Sequence, residues 1–329
     1  MASALVDPQA NQEVDQEAPR WRTVEVSGRA ARYHVAGEGL PVVFLHGWGL
    51  GHRSYRHSLA RLVALGCRVW APSLPGFGGR APLAGKDVAL ADYADWVAAF
   101  LDAVQVDEPV FLVGHSFGGG VAIATAHRHP DRVRSLVLVN SIGGATWQDA
   151  AEAGDGALVP VRTMAERPLW DWGRHFSRDL LPLHLARRVL PAVLEDAVRN
   201  VVRSPHWLWK AGHLARTADL TAELADLKDR RLPVVALWGT RDEVIPKASF
   251  DALCRAIGST GEIVEGSHSW LLADPDAFGA VMTNAVQVAA MARAAEQAPP
   301  PGRRGWTRRL RARLAERRRR RMPEPSSVA

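Results

Sequence analysis

Short apolar runs alternate with helical patterns along most of the chain, which is typical of a mostly parallel sheet with helices on both faces. The first two runs alternate apolar and polar residues around Ser27–Gly28, a pattern that predicts an antiparallel hairpin at a sheet edge. The later runs are continuously apolar, as expected of strands buried on both faces. The predicted strands are Thr23–Val26, Ala31–Val35, Val42–Leu45, Val69–Ala71, Val110–Val113, Leu136–Val139, Val234–Trp238 and Glu262–Glu265.

Helical periodicity occupies the intervals between these runs. The predicted helices are Tyr55–Leu65, Leu90–Val104, Gly119–His129, Ala248–Ile257 and Pro275–Met291. Strands and helices together predict an α/β fold built on a mostly parallel, doubly wound sheet of eight strands.

The alternation lapses between residues 141 and 232, a block with five tryptophans, several prolines and no strand-like run. It is too long for a simple connection, so we interpret it as an inserted helical cap. The predicted organisation is a disordered segment (1–20), a core in two parts (21–140 and 233–294), the cap (141–232) and a Pro/Arg-rich basic tail (295–329).

Composition narrows the function classes. Hydrophobic residues make up 47% of the chain, enough for a substantial core. No run reaches the length of a membrane span, and the N-terminus lacks the features of a secretory signal. Cys67 and Cys254 have no metal-type spacing, so we expect buried thiols, a cytoplasmic protein and no metal site.

Positive charge is concentrated at the C-terminus. Residues 296–329 contain 11 Arg and 3 Glu, a net charge of +8, which leaves −2 for the rest of a chain whose net charge is +6. Within residues 302–322, Trp306, Leu310 and Leu314 share one helical face among the arginines. Three alternatives stay open for this tail: disorder in solution, contact with an anionic membrane surface, or binding of an acidic partner. Specific nucleic-acid binding is not expected.

A serine stands between a predicted strand and a predicted helix. The residues Gly114-His115-Ser116-Phe117-Gly118 fit G-x-S-x-G, directly after the apolar run Val110–Val113. In this setting a sharp turn lifts the serine Oγ clear of the sheet, and glycines allow the strand and the helix to approach closely. Ser116 is therefore the candidate nucleophile, and it needs a base and an orienting carboxylate.

Two later loops supply candidates for these roles. Asp242 follows one predicted strand and His268 follows the last, so both should reach the same sheet edge as Ser116. The order Ser, Asp, His is that of the α/β-hydrolase triad. Glu243 is an alternative acid, whereas the loop after Val139 contains no carboxylate.

The stretch "FLHGWG", Phe44–Gly49, ends a buried strand next to the proposed elbow. The backbone N–H groups of Trp48 and Phe117 are the candidate donors for an oxyanion.

These motifs resemble the serine-dependent members of the α/β-hydrolase superfamily over roughly Trp21–Met291. The matching stretches are "HGWG", "SLPGFGG", "GHSFGG", "GTRDEVIP" and "GSHSW". The resemblance implies a triad of Ser116, His268 and Asp242, an oxyanion hole at Trp48 and Phe117, and a cap over residues 141–232. Ser73 departs from the family pattern, since many relatives have Asp there.

The predicted function is hydrolysis of a carboxylic ester, or of a related acyl bond, in a small hydrophobic substrate through an acyl-enzyme. No cofactor is expected. Three cap tryptophans, Trp170, Trp207 and Trp209, are candidate substrate-binding residues. One alternative is a C–C bond hydrolase of ring-cleavage diketones with the same triad. An alternative of another class is a non-catalytic protein that binds a small molecule on the same fold.

Overall fold

The computed structural model describes residues 20–297, except for residues 79, 86, 149–150, 153–157, 160–161, 180–189 and 204. The chain divides into two compact units, Met1–Gln287 and Val288–Ala329. The first unit contains the sheet and every candidate catalytic residue. In the second unit, the described part is the C-terminal end of one helix. Residues 1–19 of the predicted N-terminal segment and residues 298–329 of the predicted tail lie outside the described residues.

A central sheet of eight strands organises the first unit. Its strands are β1 (Arg20–Val26), β2 (Arg29–Ala36), β3 (Leu40–Leu45), β4 (Cys67–Pro72), β5 (Val110–His115), β6 (Val133–Val139), β11 (Val234–Gly239) and β12 (Glu262–Val264). Their order is β1-β2-β4-β3-β5-β6-β11-β12. The β1–β2 and β2–β4 pairs are antiparallel, and the remaining neighbours are parallel. The predicted fold class is confirmed.

The central strands are continuously apolar because both of their faces are covered. Every residue of β3 and of β5 is buried. The two strands pair in register, with Val42 opposite Phe111, and β5 pairs in turn with β6 through Val113 and Val137. The strands that carry the nucleophile turn therefore form the most protected part of the core.

Ten α-helices accompany the strands in the described part of the chain. They are α1 (Arg56–Ala64), α2 (Leu90–Ala103), α3 (Phe117–Arg128), α4 (Leu169–Asp179), α5 (Leu190–Arg203), α6 (Pro205–Thr217), α7 (Thr221–Asp229), α8 (Lys247–Ile257), α9 (Trp270–Ala273) and α10 (Pro275–Gln297). Helix α2 packs against α3, α3 against α7, and α7 against α8, whereas α1 contacts α9. None of the helices within the described ranges is both long enough and apolar enough to cross a bilayer.

The block between β6 and β11 differs from its prediction in one respect. Besides helices, it contains four short strands: β7 (Thr146–Gln148), β8 (Ala151–Glu152), β9 (Leu158–Val159) and β10 (Arg162–Thr163). They form two antiparallel pairs, β7 with β10 and β8 with β9. Strands of two or three residues are too short to show a hydrophobic alternation, so the sequence pattern could not predict them. The predicted cap boundaries stay a prediction.

Candidate active site

Ser116 lies in the turn between β5 and α3 with φ 53° and ψ −116°. A left-handed φ is costly for a residue with a side chain and persists only where its surroundings enforce it. The flanking glycines allow it here. A Cβ on Gly114 would lie 2.5 Å from the carbonyl oxygen of Gly118, and a Cβ on Gly118 would overlap the carbonyl oxygen of Leu45. The strand and the helix therefore approach each other closely at the serine.

Three side chains from three loops form one hydrogen-bonded chain. The His268 Nε2 atom lies 2.9 Å from Ser116 Oγ, and His268 Nδ1 lies 2.8 Å from Asp242 Oδ2. The side chains of His268 and Asp242 are completely buried. Because a carboxylate only accepts hydrogen bonds, Nδ1 carries the proton and donates it to Asp242. Nε2 is then the acceptor for the serine hydroxyl, which is the arrangement a general base requires.

The structure brings Asp242, rather than Glu243, to the imidazole. The second carboxylate oxygen of Asp242, Oδ1, accepts hydrogen bonds from the N–H groups of Val244 and Ile245, at 2.9 and 2.8 Å. Glu243 instead lies 2.5 Å from His175 Nδ1 in the cap. The tight turn after β11 therefore fixes Asp242 through its own backbone.

The electrostatics of the buried pair favour a basic imidazole. Burial lowers the pKa of His268, but the charge and the hydrogen bond of Asp242 outweigh it and raise that pKa above its ordinary value. Burial raises the pKa of Asp242, and the imidazole and the backbone N–H of Ile245 oppose this. We assign the ionised carboxylate because it accepts three hydrogen bonds.

The loop after β3 carries Trp48 and lies beside the start of α3. Contact between Gly118 and the carbonyl groups of Leu45 and His46 brings that loop to Phe117, the first residue of the helix. The two backbone N–H groups therefore belong to adjacent segments, and their role as oxyanion donors stays a prediction.

Side-chain hydrogen bonds fix this loop on two sides. His46 donates from Nδ1 to the Gly47 carbonyl and accepts at Nε2 from the Leu74 N–H, each at 2.9 Å. The Trp48 indole N–H donates to the Leu208 carbonyl of α6 at 2.8 Å. The loop is thus held both by the body of the molecule and by the inserted block.

Residues 41–275 match the family model of the alpha/beta hydrolase fold. The chain belongs to the α/β-hydrolase fold family. The superfamily resemblance of the sequence motifs is thereby confirmed.

Similar proteins span two kinds of hydrolase. The chain is 30% identical to a pimeloyl-[acyl-carrier protein] methyl ester esterase of Neisseria meningitidis serogroup B, over 75% of this chain and 92% of that one. It is 36% identical to the 2-hydroxymuconate semialdehyde hydrolase of Pseudomonas sp. strain CF600, over 68% and 78% of the two chains. A thermophilic esterase from Thermogutta terrifontis has a similar structure, with a TM-score of 0.58 at 20% identity over 82% of this chain and 99% of that one.

In this α/β-hydrolase, a buried relay connects the Trp48 loop to the base. The Gly47 N–H donates to the Tyr55 hydroxyl at 3.0 Å, and that hydroxyl lies 2.7 Å from His115 Nδ1. His115 Nε2 lies 3.0 Å from the carbonyl oxygen of His268. A carbonyl only accepts, so His115 Nε2 carries the proton and the Tyr55 hydroxyl donates to Nδ1. Burial holds the pKa of His115 well below its usual value, consistent with this neutral ring.

Asn140 holds the same carbonyl group of the hydrolase from the other side. Its Nδ2 donates to the His268 carbonyl at 2.8 Å, and its Oδ1 accepts from the Gly239 N–H at 3.0 Å. Asn140, directly after β6, therefore connects that strand to β11 and to the loop that carries His268. The sequence showed that the loop after Val139 has no carboxylate, but it did not indicate that Asn140 would hold the His268 loop.

A cap arginine holds the loop that follows Asp242. The buried guanidinium of Arg167 donates to the carbonyl groups of Glu243 and Val244, each at 2.8 Å, and pairs with Asp171 of α4 at 2.9 Å. Nothing in its sequence surroundings marked Arg167, because its partners are more than 70 residues away except for Asp171.

The three cap tryptophans differ in their exposure, and their assignment as substrate-binding residues stays a prediction. Trp170 and Trp209 are 71% and 62% exposed. Trp207 is buried, but its indole N–H donates to the Tyr93 hydroxyl at 3.1 Å and its ring lies against Gly76. It packs the inserted block onto the body, and the other two face solvent.

Asp179, the last residue of α4, is an acidic residue that the sequence pattern did not single out. Its side chain is buried, and its Oδ2 has no hydrogen-bond partner among the described residues. The preceding residues on the same helical stripe, Asp171 and His175, contact Arg167 and Glu243 at the Asp242 loop. The negative charge of Asp179 helps to raise the pKa of His268.

We expect the pH profile of kcat/KM to depend on the negative charges of Asp242 and Asp179 near His268. His268 must be neutral to accept the serine proton, so activity should fall as the pH drops through a pKa above 6.5, the ordinary value of histidine. Asp179→Asn removes a charge that favours the imidazolium and should move this acid limb to lower pH. Glu265→Gln is the matched control, since Glu265 is exposed and near His268 in sequence. An acid limb that Asp179→Asn leaves in place would contradict the assignment.

Tyr55→Phe tests the relay. The variant leaves the Gly47 N–H and His115 Nδ1 without their partner in a fully buried site, which should cost about 1–3 kcal/mol of unfolding free energy. We also expect a lower kcat, because the Trp48 loop and the His268 carbonyl lose their common connection. Urea denaturation and steady-state kinetics on one preparation measure both. Loss of stability with an unchanged kcat would show that the relay is structural only.

Proposed function

We propose that this hydrolase cleaves a carboxylic ester, or a related acyl bond, of a small hydrophobic substrate through an acyl-enzyme on Ser116. The observation that carries the proposal is the buried chain of hydrogen bonds from Ser116 through His268 to Asp242, at 2.9 and 2.8 Å. A serine hydroxyl is a weak nucleophile at neutral pH, and this chain is the device that activates it.

The geometry supports a two-step mechanism. Ser116 Oγ attacks the carbonyl carbon while its proton passes to His268 Nε2, and Asp242 stabilises the imidazolium. The N–H groups of Trp48 and Phe117 stabilise the oxyanion. His268 then protonates the leaving alcohol as the acyl–oxygen bond breaks. In the second step His268 takes a proton from water while the hydroxide attacks the acyl carbon. The bond to Ser116 Oγ then breaks, His268 returns its proton to Oγ, and the acid is released. Water is the only co-reactant.

The relatives support ester hydrolysis and leave C–C bond hydrolysis as an alternative. A methyl ester esterase and a thermophilic esterase are among them, but so is a 2-hydroxymuconate semialdehyde hydrolase. Cleavage of a C–C bond in a ring-cleavage diketone would use the same triad and differ in substrate alone. A non-catalytic binding protein is the alternative of another class, and the complete triad argues against it.

Location and the basic tail form a second part of the proposal. Cys67 and Cys254 are buried free thiols, which supports a reducing compartment and hence the cytoplasm. We propose that residues 302–322, with their arginines around Trp306, Leu310 and Leu314, contact an anionic membrane surface or an acidic partner.

Hydrolysis of p-nitrophenyl esters from acetate to palmitate tests the activity. We expect turnover by the wild type and a loss of about 10⁴-fold or more in kcat for Ser116→Ala, with a loss of about 10⁴-fold for Asp242→Asn. Glu243→Gln is the matched control for the acid and should retain most of the activity. Equal, negligible rates for the wild type and Ser116→Ala on every ester would reject ester hydrolysis, and a ring-cleavage diketone would then separate the two alternatives.

A further inference from the structure

Helix α5 exposes a row of large apolar side chains, unlike an ordinary surface helix. The side chains of Leu194, Val198, Val201 and Val202 are between 51% and 74% exposed. Their spacing of i, i+4, i+7 and i+8 places them on one face. A surface helix normally turns such a face toward the core, so this apolar face, which we call the α5 stripe, needs an explanation.

The buried face of α5 contains Val193 and two polar residues, Asp196 and Asn200, that are anchored by specific hydrogen bonds. Asp196 accepts from the Ser54 hydroxyl at 2.8 Å, and Asn200 donates to the Gly49 carbonyl at 2.9 Å. Both partners belong to the segment that directly follows Trp48. Because these bonds fix the rotation of the helix, the α5 stripe cannot turn inward without leaving Asp196 and Asn200 unsatisfied.

Arginines lie beside the stripe and around an adjoining groove of about 630 Å³. Arg203, at the end of α5, lines this groove together with Arg29 and Arg80. The Arg80 Nε is buried and has no hydrogen-bond partner among the described residues. Burial and the positive charges of Arg32, Arg203 and Arg199 lower the pKa of Arg80. The rest of the lining is largely apolar, including Pro75, Pro82, Leu83 and Trp96, but it also contains Asp92 and Asp95.

The acidic side chains near these arginines have partners of their own. Glu195 pairs with Arg53 and Arg199, at 2.7 and 2.5 Å. Asp95 pairs with Arg128 and His129. Asp92 accepts a hydrogen bond from the Ala89 N–H at the start of α2. Asp92 and Asp95 themselves line the groove, and its three arginines exceed these two carboxylates by one charge.

We infer that the α5 stripe and the arginine-lined groove dock the enzyme on an anionic lipid surface. The valines and Leu194 insert among the acyl chains, and Arg80 and Arg203 receive a phosphate head group. An anionic lipid has both an apolar acyl chain and a negatively charged phosphate, and the end of α5 offers a partner for each. The inference does not depend on the proposed ester hydrolysis, and it concerns a surface distinct from the basic tail.

Docking through α5 also has a consequence for substrate delivery. The helix is bonded to the segment after Trp48, so the membrane-facing element and the candidate oxyanion loop are neighbours in one hydrogen-bonded unit. A substrate that partitions into the lipid would meet the enzyme next to its site.

Partitioning of the full chain onto vesicles tests the inference. The probes are vesicles of phosphatidylcholine alone and of equimolar phosphatidylglycerol and phosphatidylcholine. Val198→Ser/Val201→Ser/Val202→Ser should lower the partition coefficient on the anionic vesicles about tenfold or more. Serine and valine have similar helix propensity, so the fold should persist. Ile263→Ser, at a position 53% exposed on β12, is the apolar control and should bind as the wild type does.

Arg80→Gln/Arg203→Gln should also lower binding to the anionic vesicles about tenfold, with little change on phosphatidylcholine alone. Arg241→Gln, an exposed arginine paired with Glu265, is the charge control. All variants should hydrolyse p-nitrophenyl butyrate as the wild type does, so a failure of docking is distinguishable from a failure of catalysis.

Three results would overturn the inference. Wild-type partitioning by both variants would show that the tail or another surface carries any membrane binding. If the arginine variant loses affinity for polyglutamate while vesicle binding is unchanged, the face takes a soluble acidic partner. If the wild type sediments as a dimer and the valine variant as a monomer, the α5 stripe joins two copies of the chain.

Discussion

The left-handed backbone of Ser116 is the constraint on which the rest of the site depends. A residue with a side chain in this conformation costs about 1–3 kcal/mol, which the surrounding contacts must offset. The Ser116 N–H donates to the Val139 carbonyl at 3.0 Å, and the Ser116 carbonyl accepts from Gly119 at 2.9 Å. Gly114 and Gly118 allow the packing that makes these bonds. Contacts with β5, β6 and α3 together therefore stabilise this strained backbone, and the conformation directs Ser116 Oγ toward His268.

The position of the base depends on its backbone as much as on its acid. The carbonyl oxygen of His268 accepts from His115 and from Asn140, which lie at the ends of neighbouring strands. His115 is directly adjacent to the nucleophile in sequence. His115 therefore helps to fix the position of His268 by a hydrogen bond, and Tyr55 extends the connection to the loop of Trp48. Ser116, His268 and the candidate oxyanion loop are parts of one hydrogen-bonded assembly.

Local sequence information predicted the strands and singled out Ser116, Asp242 and His268, which the structure joins by hydrogen bonds, because those features are local. Buried parallel strands appear in the sequence as continuous apolar runs. Ser116 directly follows β5, and Asp242 and His268 come three and four residues after the ends of β11 and β12. The relay through Tyr55 and the clamp of Arg167 could not be predicted in this way, since each joins residues that are far apart in the chain. The exposure of Trp170 and Trp209 likewise depends on how the inserted block packs. Hydrophobic character alone suggested a pocket there.

The exposed apolar face of helix α5 could not be predicted for the same reason, because it depends on contacts between residues that are far apart in the chain. A hydrophobic period predicts a helix but not which face the rest of the molecule will cover, and here Asp196 and Asn200 decide it through hydrogen bonds to the segment after Trp48. The helix that secures this loop is also the one that presents apolar side chains to solvent.

The central claim is that Ser116 is the one activated nucleophile, and covalent labelling tests it most directly. The full chain is treated with a fluorophosphonate at a series of pH values, and the modified residue is mapped by mass spectrometry. We expect a single label on Ser116, formed at a rate that falls as His268 becomes protonated and that is lost in Asp242→Asn. A label on another serine, such as Ser73 beside His52, or a rate on Ser116 that is indifferent to Asp242, would contradict it.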